Sequence, residues 1–183
     1  MELVKTIKES QIIKGLFFAL IGTVLLALSS KIKIPFYPVP MTMQTFVVIF
    51  IGVSLGWKLG LATMFLYLFE GIIGLPVFSG TPEKGIGLAY FTGPTMGYLI
   101  GFLAAVFFAG YFKYSNNFLL NFIKVTFATS LIYLIGLIWL GNLIGWDKPV
   151  IQFGVTPFLL AELFKIILLT ILGKQLLKLR KFI

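Results

Sequence analysis

Long apolar runs, separated by short segments that carry most of the charges, dominate this sequence. A helix that crosses the hydrocarbon core of a bilayer needs roughly 20 apolar residues, with a range of about 17 to 25. Only 11% of the 183 residues are charged, whereas about a quarter are charged in a soluble domain. The chain is therefore predicted to be an all-α integral membrane protein.

The apolar runs predict six transmembrane helices in a single membrane domain that covers residues 1–183. The second and third helices are separated at residues 56–60, where Lys58 is the only charge. With six crossings, both termini lie on the same side of the membrane. The predicted spans are residues 12–30, 41–57, 59–75, 94–112, 118–144 and 157–176.

Lysine and arginine residues predict the orientation, because cytoplasmic loops of membrane proteins are enriched in both. With the N-terminus in the cytoplasm, ten of them lie inside and four outside, and Lys165 lies within the membrane. An N-in, C-in protein of the cytoplasmic membrane is therefore expected. The inner residues are Lys5, Lys8, Lys14, Lys58, Lys113, Lys124, Lys174, Lys178, Arg180 and Lys181, and the outer ones are Lys31, Lys33, Lys84 and Lys148.

Several classes of function are excluded by what the sequence lacks. Cysteine and histidine are both absent, which rules out disulfides, thiolate chemistry and the usual zinc sites. There is no phosphate-binding loop, no nucleophile elbow and no nucleic-acid motif. We therefore expect neither an enzyme nor a cofactor, and the net charge of +9 is explained by membrane orientation.

Glu162 and Lys165 are two charges inside the last apolar run, spaced so that they share one helix face. Charges within a membrane are costly and usually face a partner, a ligand or water. At 1.5 Å per residue they lie about 8 and 12 Å below the outer surface. Two interpretations stay open at this point, a ligand site and an internal salt bridge that fastens one helix to another.

Other polar residues are predicted at a similar depth in the outer half of the membrane. They converge from different helices, whereas the inner half offers few, so a pocket for a small polar molecule is expected. Three long loops on the outer side, residues 31–40, 76–93 and 145–156, would cover it. The converging residues are Gln44, Glu70, Thr95, Tyr98 and Asn142.

Small residues recur every fourth position in the first helix, at Gly15, Ala19, Thr23 and Ala27. Such a stripe allows a second helix to approach closely. That helix belongs either to the same chain, which is the commoner case, or to a separate membrane subunit that docks there.

Three motifs follow one another along the chain, and together they resemble those of a known family. They are Pro-Val-Pro-Met-Thr-Met-Gln-Thr at residues 38–45; Gly-Leu-Pro-Val-Phe at residues 74–78 with Tyr90 and Gly-Pro-Thr-Met-Gly-Tyr at residues 93–98; and Pro157-Phe158 followed by Glu162 and Lys165. The family is BioY, the biotin-binding S component of energy-coupling factor (ECF) transporters. The sequence departs from the family pattern in having glutamate at position 162, where aspartate is usual.

The resemblance implies a six-helix protein that captures biotin from outside the cell. Its partners would be a transmembrane coupling subunit, which docks on the small residues of the first helix, and two cytoplasmic ATPase subunits. Two rival interpretations are an S component for another vitamin and a small membrane enzyme that acts on a lipid-linked substrate. The expected biotin-binding residues are Thr42, Gln44, Phe78, Tyr90, Glu162 and Lys165.

Overall fold

The computed structural model describes residues 2–180, with side chains from residue 11 onward, and is mainly helical. Lys181 therefore lies outside the described residues, and only the backbone is described for Lys5 and Lys8. The elements are α1 (Glu2–Lys31), β1 (Lys33–Ile34), β2 (Met41–Thr42), α2 (Gln44–Ile72), α3 (Met96–Tyr111), α4 (Phe118–Ile144), α5 (Val150–Gly154) and α6 (Leu159–Leu179), with short 3-10 helices at Gly87–Thr92 and Thr156–Phe158.

The described residues contain four helical stretches that are long and apolar enough to cross a membrane. They are Gln11–Lys31, Gln44–Ile72, Phe118–Ile144 and Val150–Leu179, and Met96–Tyr111 is a shorter apolar helix. The predicted span 118–144 coincides with α4. The expectation of a mainly helical membrane protein is confirmed.

Helix α2 is folded back on itself at Gly56, whose φ of 78° and ψ of 169° are not helical. A Cβ atom on Gly60 would lie only 3.7 Å from the Cα of Gly52. Near the two ends of α2, the Gln44 Nε2 donates a hydrogen bond of 2.7 Å to the Tyr67 hydroxyl. Because residues 23 apart in a continuous helix are about 35 Å apart, α2 is a helical hairpin with arms at residues 44–55 and 57–72.

The hairpin lies at the centre of the fold. It packs against α3, α1 and α6, and α4 covers α3 and α6 on the other side. Within lipid, helices associate through close van der Waals packing, which small residues permit. Gly52 illustrates this, since a Cβ there would lie 2.8 Å from both the Ala109 Cβ and the Val106 carbonyl oxygen of α3.

The small-residue stripe of α1 faces the protein's own hairpin. Ala19 and Thr23 are 5% and 2% exposed, and Gly15 and Ala27 are half-buried. A Cβ on the neighbouring Gly22 would contact Thr63 of α2. At Ala19 and Thr23 the stripe therefore serves internal packing, and the predicted docking role does not fit these two residues because they are already covered.

The two ends of the helix assembly differ. At one end the Gly56 turn meets the Arg180 guanidinium, which would lie 2.7 Å from a Cβ at Gly56, and the end of α3 at Gly110. At the other end lie the start of both α2 and α6, the end of α1 and the loops 32–43 and 73–95. The polar residues predicted near one membrane surface therefore share the end that carries the long loops.

We expect Gly56→Ala to destabilise the protein, because the φ and ψ of Gly56 lie in a region that only glycine adopts readily. The cost is about 1–3 kcal/mol of unfolding free energy. The measurement is the thermal unfolding midpoint in detergent. Gly173→Ala is the control, because Gly173 is helical and a Cβ there would meet nothing within 4 Å. Equal midpoints for the two variants would contradict the folded-back geometry.

Candidate functional site

A small cavity lies at the end of the assembly that carries the loops, with about 50 Å³ open to the centres of water molecules. Its wall is contributed by the two loops and by α2, α3, α4 and α6. The polar lining residues are Thr42, Gln44, Thr45, Ser79, Tyr90, Thr95, Tyr98, Tyr133 and Glu162, and the apolar ones are Val39, Pro40, Met41, Leu99, Phe102, Ile132 and Phe158.

Glu162 and Lys165 form a buried ion pair beside this cavity. They are 6% and 9% exposed, and the Lys165 Nζ lies 2.7 Å from the Glu162 Oε1. The Thr45 hydroxyl donates to the same Oε1 at 2.7 Å and accepts from the Lys165 Nζ at 3.0 Å. The Lys165 Nζ also donates to the Thr42 carbonyl oxygen at 2.7 Å. The pair therefore joins α6 to the start of α2 and to the 32–43 loop.

An ammonium group has three N–H donors, and Lys165 uses all of them in its contacts with Glu162, Thr45 and Thr42. Lys165 does not line the cavity, whereas Glu162 does. The hydrogen bonds that this carboxylate accepts from Thr45 and Lys165 both end on Oε1, and the Tyr133 side chain of the cavity wall is a further hydrogen-bonding neighbour of Glu162. Glu162 can therefore accept a hydrogen bond from a ligand, and Lys165 acts by holding the carboxylate and the loop.

The location of Glu162 also favours a carboxylate. It lies in the first turn of α6, where unpaired backbone N–H groups and the helix dipole favour negative charge. A buried ion pair is tolerated when its remaining hydrogen-bonding groups are satisfied, and Thr45 contributes to this.

The 32–43 loop is closed by a short antiparallel pairing in which Lys33 lies opposite Thr42 and Ile34 opposite Met41. This pairing brings the Thr42 carbonyl to Lys165, and the Thr42 side chain to the cavity. The predicted site residue Gln44 also lines the cavity, is 4% exposed and is fixed by its hydrogen bond to Tyr67.

Tyr90 lies in the part of the cavity wall that the 73–95 loop forms. Its hydroxyl donates to the Ser79 carbonyl oxygen at 2.8 Å. Burial raises the pKa of Tyr90, while a hydrogen bond with Thr95 acts in the opposite direction. The phenol therefore stays protonated at neutral pH and acts as a donor.

Phe78 lies behind Tyr90 and does not line the cavity. It is 1% exposed, and its ring stacks on Tyr90 with centroids 4.7 Å apart and meets the Tyr67 ring edge-on at 5.3 Å. The predicted direct contact of Phe78 with a ligand therefore does not fit this structure. The side chain instead holds the Tyr90 ring in place.

Sequence reasoning also missed residues of the wall. Thr45 and Tyr133 line the cavity, and Ser79 lines it with a buried hydroxyl that has no hydrogen-bond partner within residues 11–180. For Thr45 the sequence did offer one indication, because its hydroxyl lies at about the same predicted depth in the membrane as Glu162. No such indication existed for Ser79, because its position depends on the path of the loop.

The predicted convergence of polar residues is only partly observed. Gln44, Thr95 and Tyr98 meet Glu162 around the cavity. Glu70 and Asn142 are not part of its wall, and Asn142 instead accepts a hydrogen bond of 3.0 Å from Trp146.

The sequence matches the BioY family model over residues 4–182. It is 38% identical over 157 residues to a probable biotin transporter BioY of Pyrococcus horikoshii, which covers 83% of this chain and 89% of that protein. It is 32% identical over 170 residues to the biotin transporter BioY of Thermotoga maritima, with 92% and 96% covered.

A solved structure has the same fold. It is the S-component for biotin from an ECF-type ABC transporter, and the two chains are 28% identical with a TM-score of 0.77. The similarity covers 92% of this chain and 93% of that one.

Thr45→Val should destabilise the protein even without ligand, because it removes a donor to Glu162 and an acceptor for Lys165 while keeping the side-chain shape. Leaving buried polar groups unsatisfied costs about 1–3 kcal/mol, which a thermal unfolding midpoint in detergent can detect. Thr170→Val is the control, since the buried Thr170 hydroxyl donates only to the Ile166 carbonyl of its own helix. If both variants unfold at the same temperature, Thr45 does not stabilise the ion pair.

Proposed function

The chain belongs to the BioY family, and from this premise we propose that it captures biotin in the cavity beside Glu162, for uptake across the cytoplasmic membrane. The family is a transporter component, so the chain is not an enzyme. The observation that carries the proposal is the buried carboxylate of Glu162, which is fixed on one oxygen and faces the cavity.

The chemistry of biotin suits this cavity. Its ureido ring has two N–H donors and an acceptor oxygen, and a carboxylate accepts such donors in strong, charge-assisted hydrogen bonds. The Glu162 Oε2 and the unpaired Ser79 hydroxyl are the groups that we assign to the polar part of the ligand. The apolar thiophane ring and alkyl tail would contact the Tyr90 ring, Phe102 and Phe158.

The remaining predicted residues act in support. Lys165 and Thr42 hold Glu162 and the 32–43 loop in position, and Gln44 offers an amide to the cavity while bonding to Tyr67. Phe78 supports the ring of Tyr90 from behind.

The protein is a multi-pass membrane protein of a transporter family. We further propose six crossings, two of which are the arms of α2, with the cavity facing outward. The positively charged residues support this, because they are concentrated around the end that is distant from the cavity.

The assignment to an ECF-type transporter implies further subunits. The structurally similar protein is the S-component of such a transporter. We propose that this chain associates with a transmembrane coupling subunit and two cytoplasmic ATPase subunits, since it has no nucleotide-binding motif of its own. The exposed side of α1, which carries Leu16, Phe17 and Leu20, is the surface that remains available on that helix.

Glu162→Gln and Lys165→Met should each weaken biotin binding by at least about 30-fold, because removing one partner of a buried charged contact costs ~2–5 kcal/mol. The measurement is the equilibrium binding of labelled biotin to the purified protein in detergent. Glu70→Gln is the control, since it removes a carboxylate outside the cavity wall and should bind normally.

The double variant Glu162→Gln/Lys165→Met distinguishes the two interpretations of the pair. If the pair were only an internal salt bridge, removing both charges would restore binding to the wild-type level. We expect binding to remain weak. A wild-type protein that bound another vitamin in preference to biotin would overturn the proposal itself.

The proposed orientation can be tested by cysteine labelling in whole cells, because the natural sequence has no cysteine to give a background signal. Lys84→Cys should react with a thiol reagent that does not cross membranes, and Lys178→Cys should not. The reverse pattern would place the cavity on the cytoplasmic side.

A further inference from the structure

The last turn of α1 is bonded to the 73–95 loop. The Lys31 Nζ lies 3.0 Å from the Phe78 carbonyl oxygen, 3.1 Å from the Thr81 Oγ1 and 3.4 Å from the Thr81 carbonyl oxygen. The adjacent Ser30 is fully buried, and its hydroxyl lies 2.8 Å from the Val77 carbonyl oxygen. One cation and one hydroxyl of α1 therefore contact three residues within a five-residue segment of the loop.

This segment forms part of the cavity wall. Ser79 lies between the two residues that Lys31 binds, and it lines the cavity. Its carbonyl oxygen accepts the Tyr90 hydroxyl, and Phe78 stacks on the Tyr90 ring. The position of the wall at Ser79 and Tyr90 thus depends on the backbone that Lys31 holds.

Lys31 itself does not line the cavity, and neither does any other described residue of α1. Its influence on a ligand must therefore pass through the loop. The Tyr67 hydroxyl donates to the Val77 carbonyl oxygen at 2.9 Å, so the loop is held from α2 as well as from α1. The contact from α1 is the one with a charged donor, and charge-assisted hydrogen bonds are stronger than neutral ones.

We infer that Lys31 is a positioning residue that keeps the 73–95 loop closed over the bound ligand and thereby slows its release. The inference rests on the proposed function. Because α1 also packs along the α2 hairpin, a displacement of α1 relative to the hairpin would pull on the loop at the same time.

The test is the dissociation rate of labelled biotin from the purified full chain in detergent. For Lys31→Met we expect dissociation about tenfold faster with an unchanged association rate, a modest effect because the Lys31 side chain is exposed to solvent. Lys31→Arg should restore slow dissociation, because it keeps the positive charge and several donors. Lys33→Met is the matched control, since Lys33 is an exposed neighbour for which no side-chain bond to the loop is observed, and its dissociation rate should equal that of the wild type.

Thr81→Val provides a second variant on the loop side, because it removes the hydroxyl that Lys31 contacts. We expect faster dissociation in this variant also. When it is combined with Lys31→Met, the increase should be smaller than the product of the two single effects, because they share one contact, while the Thr81 hydroxyl also donates to the Phe78 carbonyl oxygen at 2.7 Å independently of Lys31. An unchanged dissociation rate in Lys31→Met, or a weaker affinity that arises only from slower association, would overturn the inference. A wild-type protein that does not bind biotin would instead refute the proposed function.

Discussion

The hydrogen-bonded ion pair of Glu162 and Lys165 is the interaction on which the site depends. Burying two opposite charges one helical turn apart costs free energy unless hydrogen bonds from the surrounding protein stabilise them. Thr45 and the Thr42 carbonyl supply those partners from another helix and a loop. The same bonds that satisfy the charges therefore assemble one side of the cavity.

The folded-back shape of α2 makes this assembly possible. Because the chain reverses at Gly56, Gln44 and Tyr67 lie side by side at the end of the protein that carries the loops. The first arm then carries Thr45 to α6, and the second arm carries Tyr67 to the Val77 carbonyl. A straight helix of the same length would place these contacts at opposite ends.

The cavity is enclosed by two loops that are held in different ways. The 32–43 loop is bonded to α6 through Lys165, next to the carboxylate that faces the cavity. The 73–95 loop is bonded to α1 and α2 at its backbone, behind the cavity wall. The first loop therefore forms its part of the cavity wall with residues 39–42, and the second with Ser79 and with Tyr90, whose ring is stacked on Phe78.

The sequence alone determined the helical membrane class, the bounds of α4, the break near Gly56 and the presence of two charges within the last apolar run, because apolar run length and a charge within such a run are properties of local sequence. It also pointed to Gln44, Tyr98 and Thr95 by depth. Only the tertiary structure decided which polar residues share a cavity, since depth does not determine the direction of a side chain. In the structure, Ala19 and Thr23 of the α1 stripe are buried, Phe78 lies behind Tyr90, and protein acceptors use all three donors of the Lys165 ammonium. The sequence could not predict these features, because each depends on contacts between segments that are distant in the chain.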